Sequence, residues 1–193
     1  GSSGSRKTTT AYACLRAIAE DSPIRRAIST LEDPIEAVIP AASQSQIRPA
    51  RGFDYGVAVK SLLRQDPEVI LVGEIRDQET AQLVFQAALT GHLVITTFHA
   101  GSAAEAVSRL LDMGIEPYQL TSGLLCVLNQ QLARKLCECG QPSSDEQDRL
   151  GLEVEQVRVA VGCELCDGTG YAGRFPILEM LTLNRTKVRQ TIL

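Results

Sequence analysis

The chain has 193 residues, 44% of them hydrophobic and 22% charged, with 19 basic and 23 acidic side chains and a net charge of −4. That composition belongs to a globular domain with one sizeable core plus a small appendage, and it excludes wholesale disorder. An acidic balance argues against holding nucleic acid through the overall field, no apolar run approaches the ~20 residues of a spanning helix, and no basic start leads into an apolar secretion signal.

The chain opens on Gly1-Ser-Ser-Gly-Ser-Arg-Lys-Thr8 and runs directly into a helical stretch, Thr9 to Glu20. The pattern G-x-x-x-x-G-K-[ST] wraps phosphates with backbone N–H groups, meets the terminal phosphates with its Lys and offers its hydroxyl to Mg²⁺. Gly1, Gly4, Ser5, Lys7, Thr8 and Thr9 form the candidate phosphate-binding set. Arg6 stands where the pattern has its last glycine, and a β-carbon there crowds the phosphates or forces a conformation costing about 1–2 kcal/mol. A Gly/Ser-rich tail before a helix is the competing reading. A loop of this kind normally follows a strand, so the chain reads as a piece of a longer protein.

Ala27 to Leu31 reads as a short strand delivering Glu32, Asp33 and Glu36, and Gly52 to Arg64 as a helix. Val69 to Val72 is a continuous apolar run, as for a strand buried on both faces of a parallel sheet, and it ends at Gly73-Glu74. Gln78 to Leu89 is expected to be helix, Leu93 to Thr97 strand and Ser102 to Met113 helix. This alternation predicts an α/β fold with a mainly parallel sheet. Ligands of such sheets bind beyond the carboxyl ends of the strands, which places the two acidic segments beside the opening loop. A Mg²⁺-nucleotide site needs one carboxylate near the metal and another to orient or deprotonate the attacking water. Helix capping is the alternative role for the carboxylates of Glu-Asp-Pro-Ile-Glu. The two histidines, His92 and His99, bracket one predicted strand. His99 lies at its carboxyl end, where the crevice is expected, and His92 at the far end, where a structural role fits equally well.

The character changes near residue 136, giving two expected parts, 1–135 and 136–193. Cys137, Cys139, Cys163 and Cys166 form two close pairs, the spacing of a closed tetrahedral Zn²⁺ site and of a reducing, cytoplasmic compartment. Four buried free thiols are the alternative. Cys14 and Cys126 read as core fillers. Residues 138–167 carry eight acidic and two basic side chains, so this module is expected to meet protein rather than nucleic acid.

Thr30-Leu-Glu-Asp-Pro-Ile-Glu36, Leu63-Arg-Gln-Asp-Pro67, Val72-Gly-Glu-Ile-Arg-Asp77 and Thr90-Gly-His-Leu-Val94 closely resemble the secretion ATPases, the hexameric motors of type II secretion and type IV pilus assembly. The resemblance continues through Arg109-Leu-Leu-Asp-Met-Gly114 and Gly170-Tyr-Ala-Gly-Arg174 to Leu178-Glu179. It implies a RecA-like P-loop ATPase core carrying a tetracysteine zinc module and a carboxyl-terminal segment, with ATP, Mg²⁺ and Zn²⁺ as ligands. It further implies Lys7 and Thr8 as the Walker A pair, Glu32, Asp33 and Glu36 as an Asp box with Glu36 as base, Glu74 as the Walker B acid, and His92 and His99 as a His box. Arg6 and the C-x-C form of the first cysteine pair depart from the family pattern. The implied assembly is a homohexamer acting on an inner-membrane platform protein and other secretion machinery, from the cytoplasmic side and peripheral to that membrane. A non-catalytic homologue with a degenerate loop, serving a structural or regulatory role, is the alternative that Arg6 raises, and slow ATP hydrolysis is expected of this chain.

Overall fold

A computed structural model describes residues 1, 4–21 and 26–183. Ser2 and Ser3 of the opening loop lie outside the described residues. The chain divides into two compact units, one formed by residues 1–130 together with the segment from Leu178, the other by Gln131–Ile177. The division falls five residues earlier than the sequence suggests, and the chain returns to the first unit after the second.

The first unit is built on strands β1 (Ile28–Glu32), β2 (Ala42–Gln46), β3 (Val69–Val72) and β4 (Leu93–Thr96), all parallel in the order β2-β1-β3-β4. Helices α1 (Lys7–Asp21), α2 (Tyr55–Leu62), α3 (Gln78–Leu89), α4 (Ala103–Asp112) and α5 (Pro117–Gly123) accompany it. The all-apolar β3 is buried along its whole length because it has a parallel neighbour on each side and packed side chains on both faces. Val69 and Leu71 join a cluster with Ala11, Tyr12 and Leu15 of α1. Ile70 and Val72 join another with residues of α2 and α3, among them Val59 and Phe85. The period-2 alternation of a strand thus gives β3 one helical layer on each face.

Short polar side chains begin three of these five helices. Asp54 accepts from the N–H of Val57 at 2.8 Å, Asp77 from Thr80 at 2.8 Å and Ser102 from Glu105 at 3.0 Å. The first of these moves the start of α2 from the expected Gly52 to Tyr55, because residues 48–53 close a tight turn with Gly52 at φ 73°. The sequence Ala-Ser-Gln-Ser-Gln of β2 carries no strand signal. It is extended because its backbone pairs with β1 over five residues, from Ile28 opposite Ala42 to Glu32 opposite Gln46.

The remaining elements are β5 (Cys126–Leu136), β6 (Gln141–Ser143), α6 (Glu146–Arg149), β7 (Val157–Val159) and β8 (Tyr171–Thr182). β5 pairs with β8, and β6 pairs antiparallel with β7. Within the second unit the Arg158 guanidinium donates to the carbonyls of Glu138 at 2.8 Å and Gly140 at 2.7 Å. Arg134 lies 3.9 Å from the centroid of the Tyr171 ring, a cation–π contact.

Candidate active site and metal centre

The opening loop is shaped by contacts from outside it. Gln130 of β5 donates to the carbonyl of Ser5 at 2.6 Å and accepts from the Thr10 hydroxyl of α1 at 2.7 Å. Position 1 has room only for glycine, since a β-carbon there would come within 2.3 Å of the Gln130 carbonyl oxygen. Gly4 has φ 77° and Arg6 φ 60°, so Arg6 occupies the left-handed region that glycine enters freely and arginine does not. The conformation expected at that position is therefore present with the wrong residue in it. The Arg6 carbonyl accepts the Thr10 N–H at 3.2 Å, which sets α1 winding from Lys7, two residues earlier than the sequence suggests. Lys7 Nζ donates to the Gly1 carbonyl at 3.1 Å, and burial lowers its pKa against the opposing pull of Glu74.

The loop faces an open crevice of about 180 Å³ at the carboxyl ends of β1, β3 and β4. Gly4, Lys7 and Thr8 line one side; Glu32, Asp33, Pro34 and Glu36 another; Gly73, Glu74, Thr97 and His99 complete it with Tyr55. The expected residues Gly4, Lys7, Thr8, Glu32, Asp33, Glu36, Glu74 and His99 are thereby brought together. Gly1, Ser5 and Thr9 belong to the loop or its helix without lining the crevice. His92 sits at the other end of β4, where its Nδ1 lies 3.0 Å from the Ala87 carbonyl at the end of α3. That contact agrees with the structural role weighed for it above.

The carboxylates differ in what they are free to do. Glu32 is 2% exposed, and both its oxygens are taken. Tyr12 donates to Oε2 through a short hydrogen bond, while Thr30 and Gln44 donate to Oε1, Gln44 at 3.0 Å. Burying a carboxylate demands such pairing, so Glu32 anchors its segment from within. Glu74 is engaged on both oxygens as well. Arg76 Nε donates to Oε2 at 2.8 Å, and His99 Nε2 lies 2.7 Å from Oε1. A second arm of Arg76 reaches Asp33 at 3.5 Å. Glu36 is exposed, and its carboxylate enters no ion pair among the described residues.

Sequence reasoning did not single out Tyr55, Arg76 or Thr97. Arg76 lies inside a motif already quoted, and its spacing two residues after Glu74 was the available signal. Thr97 donates to the Gly73 carbonyl at 2.7 Å, tying the end of β3 to the segment after β4. Tyr55 has its pKa pushed up to about 12, first by burial and then by the negative charge of Asp33. Gly73 makes room for it, because a β-carbon there would lie 3.0 Å from the Tyr55 hydroxyl. Arg109 of α4 donates a short hydrogen bond to the His99 carbonyl and lies 5.1 Å from the centre of the Phe98 ring, fixing the segment that presents the imidazole.

In the second unit the sulfurs of Cys137, Cys139, Cys163 and Cys166 all lie within 4.8 Å of one another. The separations of 3.9 Å (Cys137–Cys163), 3.9 Å (Cys139–Cys166) and 3.7 Å (Cys163–Cys166) are far too long for disulfides. They match the edge of about 3.8 Å that four sulfurs make around a tetrahedral ion at Zn–S distances of ~2.3 Å. Cys166 Sγ accepts backbone N–H groups from Cys163 and Gly170, each at 3.2 Å, and the Cys163 N–H is the first cause lowering its pKa to about 6. The shortened first pair does not prevent convergence of the four thiols. Their donor set fits a closed metal site.

A family model described as Type II/IV secretion system protein matches residues 1–192. The type IV pilus assembly ATPase PilB of Thermus thermophilus is 43% identical over 193 residues, covering 95% of this chain and 21% of PilB. Type II secretion system protein E of Aeromonas hydrophila is 45% identical, covering 100% of this chain and 39% of that protein. The chain thus spans well under half the length of these relatives. Among solved structures, the Legionella pneumophila ATPase DotB superposes with a TM-score of 0.72 at 26% identity, covering 99% of this chain and 46% of DotB. The pilus retraction motor PilT with bound ADP gives 0.72 at 28% identity, covering 100% and 48%. With the parallel sheet, the loop and the acidic segments arranged as described, and a family match over nearly its whole length, the chain belongs to the Type II/IV secretion system protein family.

Proposed function

We propose that this chain is the ATPase core of a motor that couples ATP hydrolysis to protein secretion or pilus assembly. The observation that carries the reading is the gathering of Lys7, Thr8, Glu36, Glu74 and His99 around one crevice at the carboxyl ends of the parallel strands. Lys7 and the backbone around Gly4 would hold the β- and γ-phosphates, and Thr8 and Glu74 would hold Mg²⁺. Mg²⁺ would supply neutralisation of the phosphate charge. Glu36, the exposed carboxylate, would orient the attacking water and accept its proton. His99, already against Glu74, would face the terminal phosphate, and Arg76 would keep Asp33 and Glu74 in register. Catalysis of this kind rests on positioning and electrostatics, so each restraint on these groups matters to rate.

Around this core the reading places a homohexamer working with an inner-membrane platform protein from the cytoplasmic face. No helix among the described residues is long and apolar enough to cross a membrane. The four thiols would hold one structural Zn²⁺. Metal analysis of the purified protein should return about one zinc per chain, and a metal-free protein with native amide protection across residues 131–177 would overturn that assignment.

A second reading is favoured by one specific observation. Arg6 strains the loop at φ 60° and puts a side chain where the phosphate cradle needs none, so a non-catalytic, structural or regulatory subunit is the alternative. Steady-state phosphate release by the full-length protein separates the two. The motor reading expects turnover that Lys7→Ala abolishes and Glu36→Gln lowers about 100-fold or more, with Arg6→Gly raising it. Release indistinguishable from the Lys7→Ala protein, and unchanged by Arg6→Gly, assigns the chain to the non-catalytic class.

A further inference from the structure

We propose that Tyr12 is a positioning residue for ATP hydrolysis, its hydroxyl fixing the Glu36 segment against the helix that begins at the phosphate loop. The inference rests on the assignment of Glu36 as the group that orients water.

Tyr12 lies on α1, five residues beyond Lys7, with its ring buried against the sheet. Its hydroxyl does two things at once. It donates to Glu32 Oε2, and it accepts the backbone N–H of Glu36 at 3.2 Å. Glu32 cannot yield, because Thr30 and Gln44 hold its other oxygen. The hydroxyl is therefore pinned from one side by a buried carboxylate and presents its lone pair to Glu36 from a fixed point. The next restraints fall beyond Glu36, where Gln44 donates to the Ala37 carbonyl at 3.0 Å and accepts the Ile39 N–H at 2.7 Å. Those contacts tie the segment to β2. Tyr12 alone among these contacts ties it to α1, the element whose first residues are Lys7 and Thr8. The base and the phosphate-binding groups thus share one rigid reference, which an exposed carboxylate on a loop otherwise lacks.

Tyr12→Phe removes the hydroxyl and keeps the ring in the core. Turnover and KM for ATP are compared among the full-length wild type, Tyr12→Phe, Glu36→Gln and the double variant. The expected outcome is a kcat about 10-fold lower in Tyr12→Phe with KM within about twofold. In the Glu36→Gln background the same change should cost under about twofold, because there is no longer a base to misplace. Equal losses in both backgrounds, or a loss residing in KM, overturn the proposal. A Glu36→Gln protein that turns over normally instead overturns the assignment of Glu36. Amide exchange judges Tyr12 independently of turnover. Tyr12→Phe should speed exchange at the Glu36 amide while α1 keeps its protection, and unchanged exchange at Glu36 refutes the tie.

Discussion

Arg6 concentrates at one position what residue identity and backbone geometry each contribute. Its φ of 60° costs an L-residue about 1–2 kcal/mol, whereas glycine accepts it at an entropic cost of about 0.5–1 kcal/mol. Arg6→Gly is therefore expected to stabilise the protein by up to about 1.5 kcal/mol, read as a higher urea midpoint with an unchanged slope; a lower midpoint would show that the arginine side chain contributes more than its backbone loses. The position was legible in the sequence because the pattern specifies a glycine there. The role of Glu32 was not. Its partners Tyr12 and Gln44 lie 20 and 12 residues away, and only the packing of α1 and β2 around β1 shows that both oxygens of this crevice-lining carboxylate are held from within the protein. Tyr55 was equally hidden and has its own consequence. Its folded pKa of about 12 exceeds the unfolded value near 10, so the unfolded chain releases its proton first as pH rises. The stability from a neutral Tyr55 is complete below about pH 10 and is lost between about pH 10 and 12. Urea titrations across that range should show a steeper alkaline decline in the wild type than in Tyr55→Phe.

Among elements, β5 illustrates how a strand outside the parallel sheet governs the phosphate loop. Gln130 is 6% exposed and bridges the Ser5 carbonyl and the Thr10 hydroxyl. Gln130→Leu fills similar volume but removes the donor to the buried Ser5 carbonyl, at a cost of about 1–3 kcal/mol, while the half-buried Thr10 hydroxyl keeps its contact with the Arg6 carbonyl. The expected outcome is a lower unfolding midpoint together with weaker binding of a fluorescent ATP analogue, and unaltered nucleotide affinity would show that the loop holds its shape without the bridge. The sequence could mark β3, an unbroken apolar run, and the capped helices α3 and α4 to within a residue or two. It could not mark β2, whose polar Ala-Ser-Gln-Ser-Gln is extended through pairing with β1 and through nothing local. The tetracysteine cluster was legible for a different reason. Four thiols in two short-spaced pairs are rare enough to signal a site before their convergence is known.

For the molecule as a whole, the fold of the first unit follows from repeating strand and helix signals, while the place of the division, five residues before the change of character near 136, and the return of the chain at Leu178 follow from contacts. The second unit, Gln131–Ile177, has short strands, a four-residue helix and many exposed apolar side chains, Leu150 and Leu165 among them. So small a unit has little buried area to hold it together, and ligation of the proposed metal would add stability there. Prolonged chelation should therefore raise amide exchange throughout β6 and β7 while β1, β3 and β4 keep their protection; uniform loss across both units would mean that the core depends on the metal too. The left-handed bend at position 6 belongs to this scale as well, because Gln130, Thr10 and the start of α1 hold the backbone on either side of it. In genetic terms, the arginine codons of the CGN box stand one base from those of glycine, so a loop that already has glycine's shape is a single mutation from glycine's chemistry. Under the proposed motor reading, selection for turnover would find its first gain at that base.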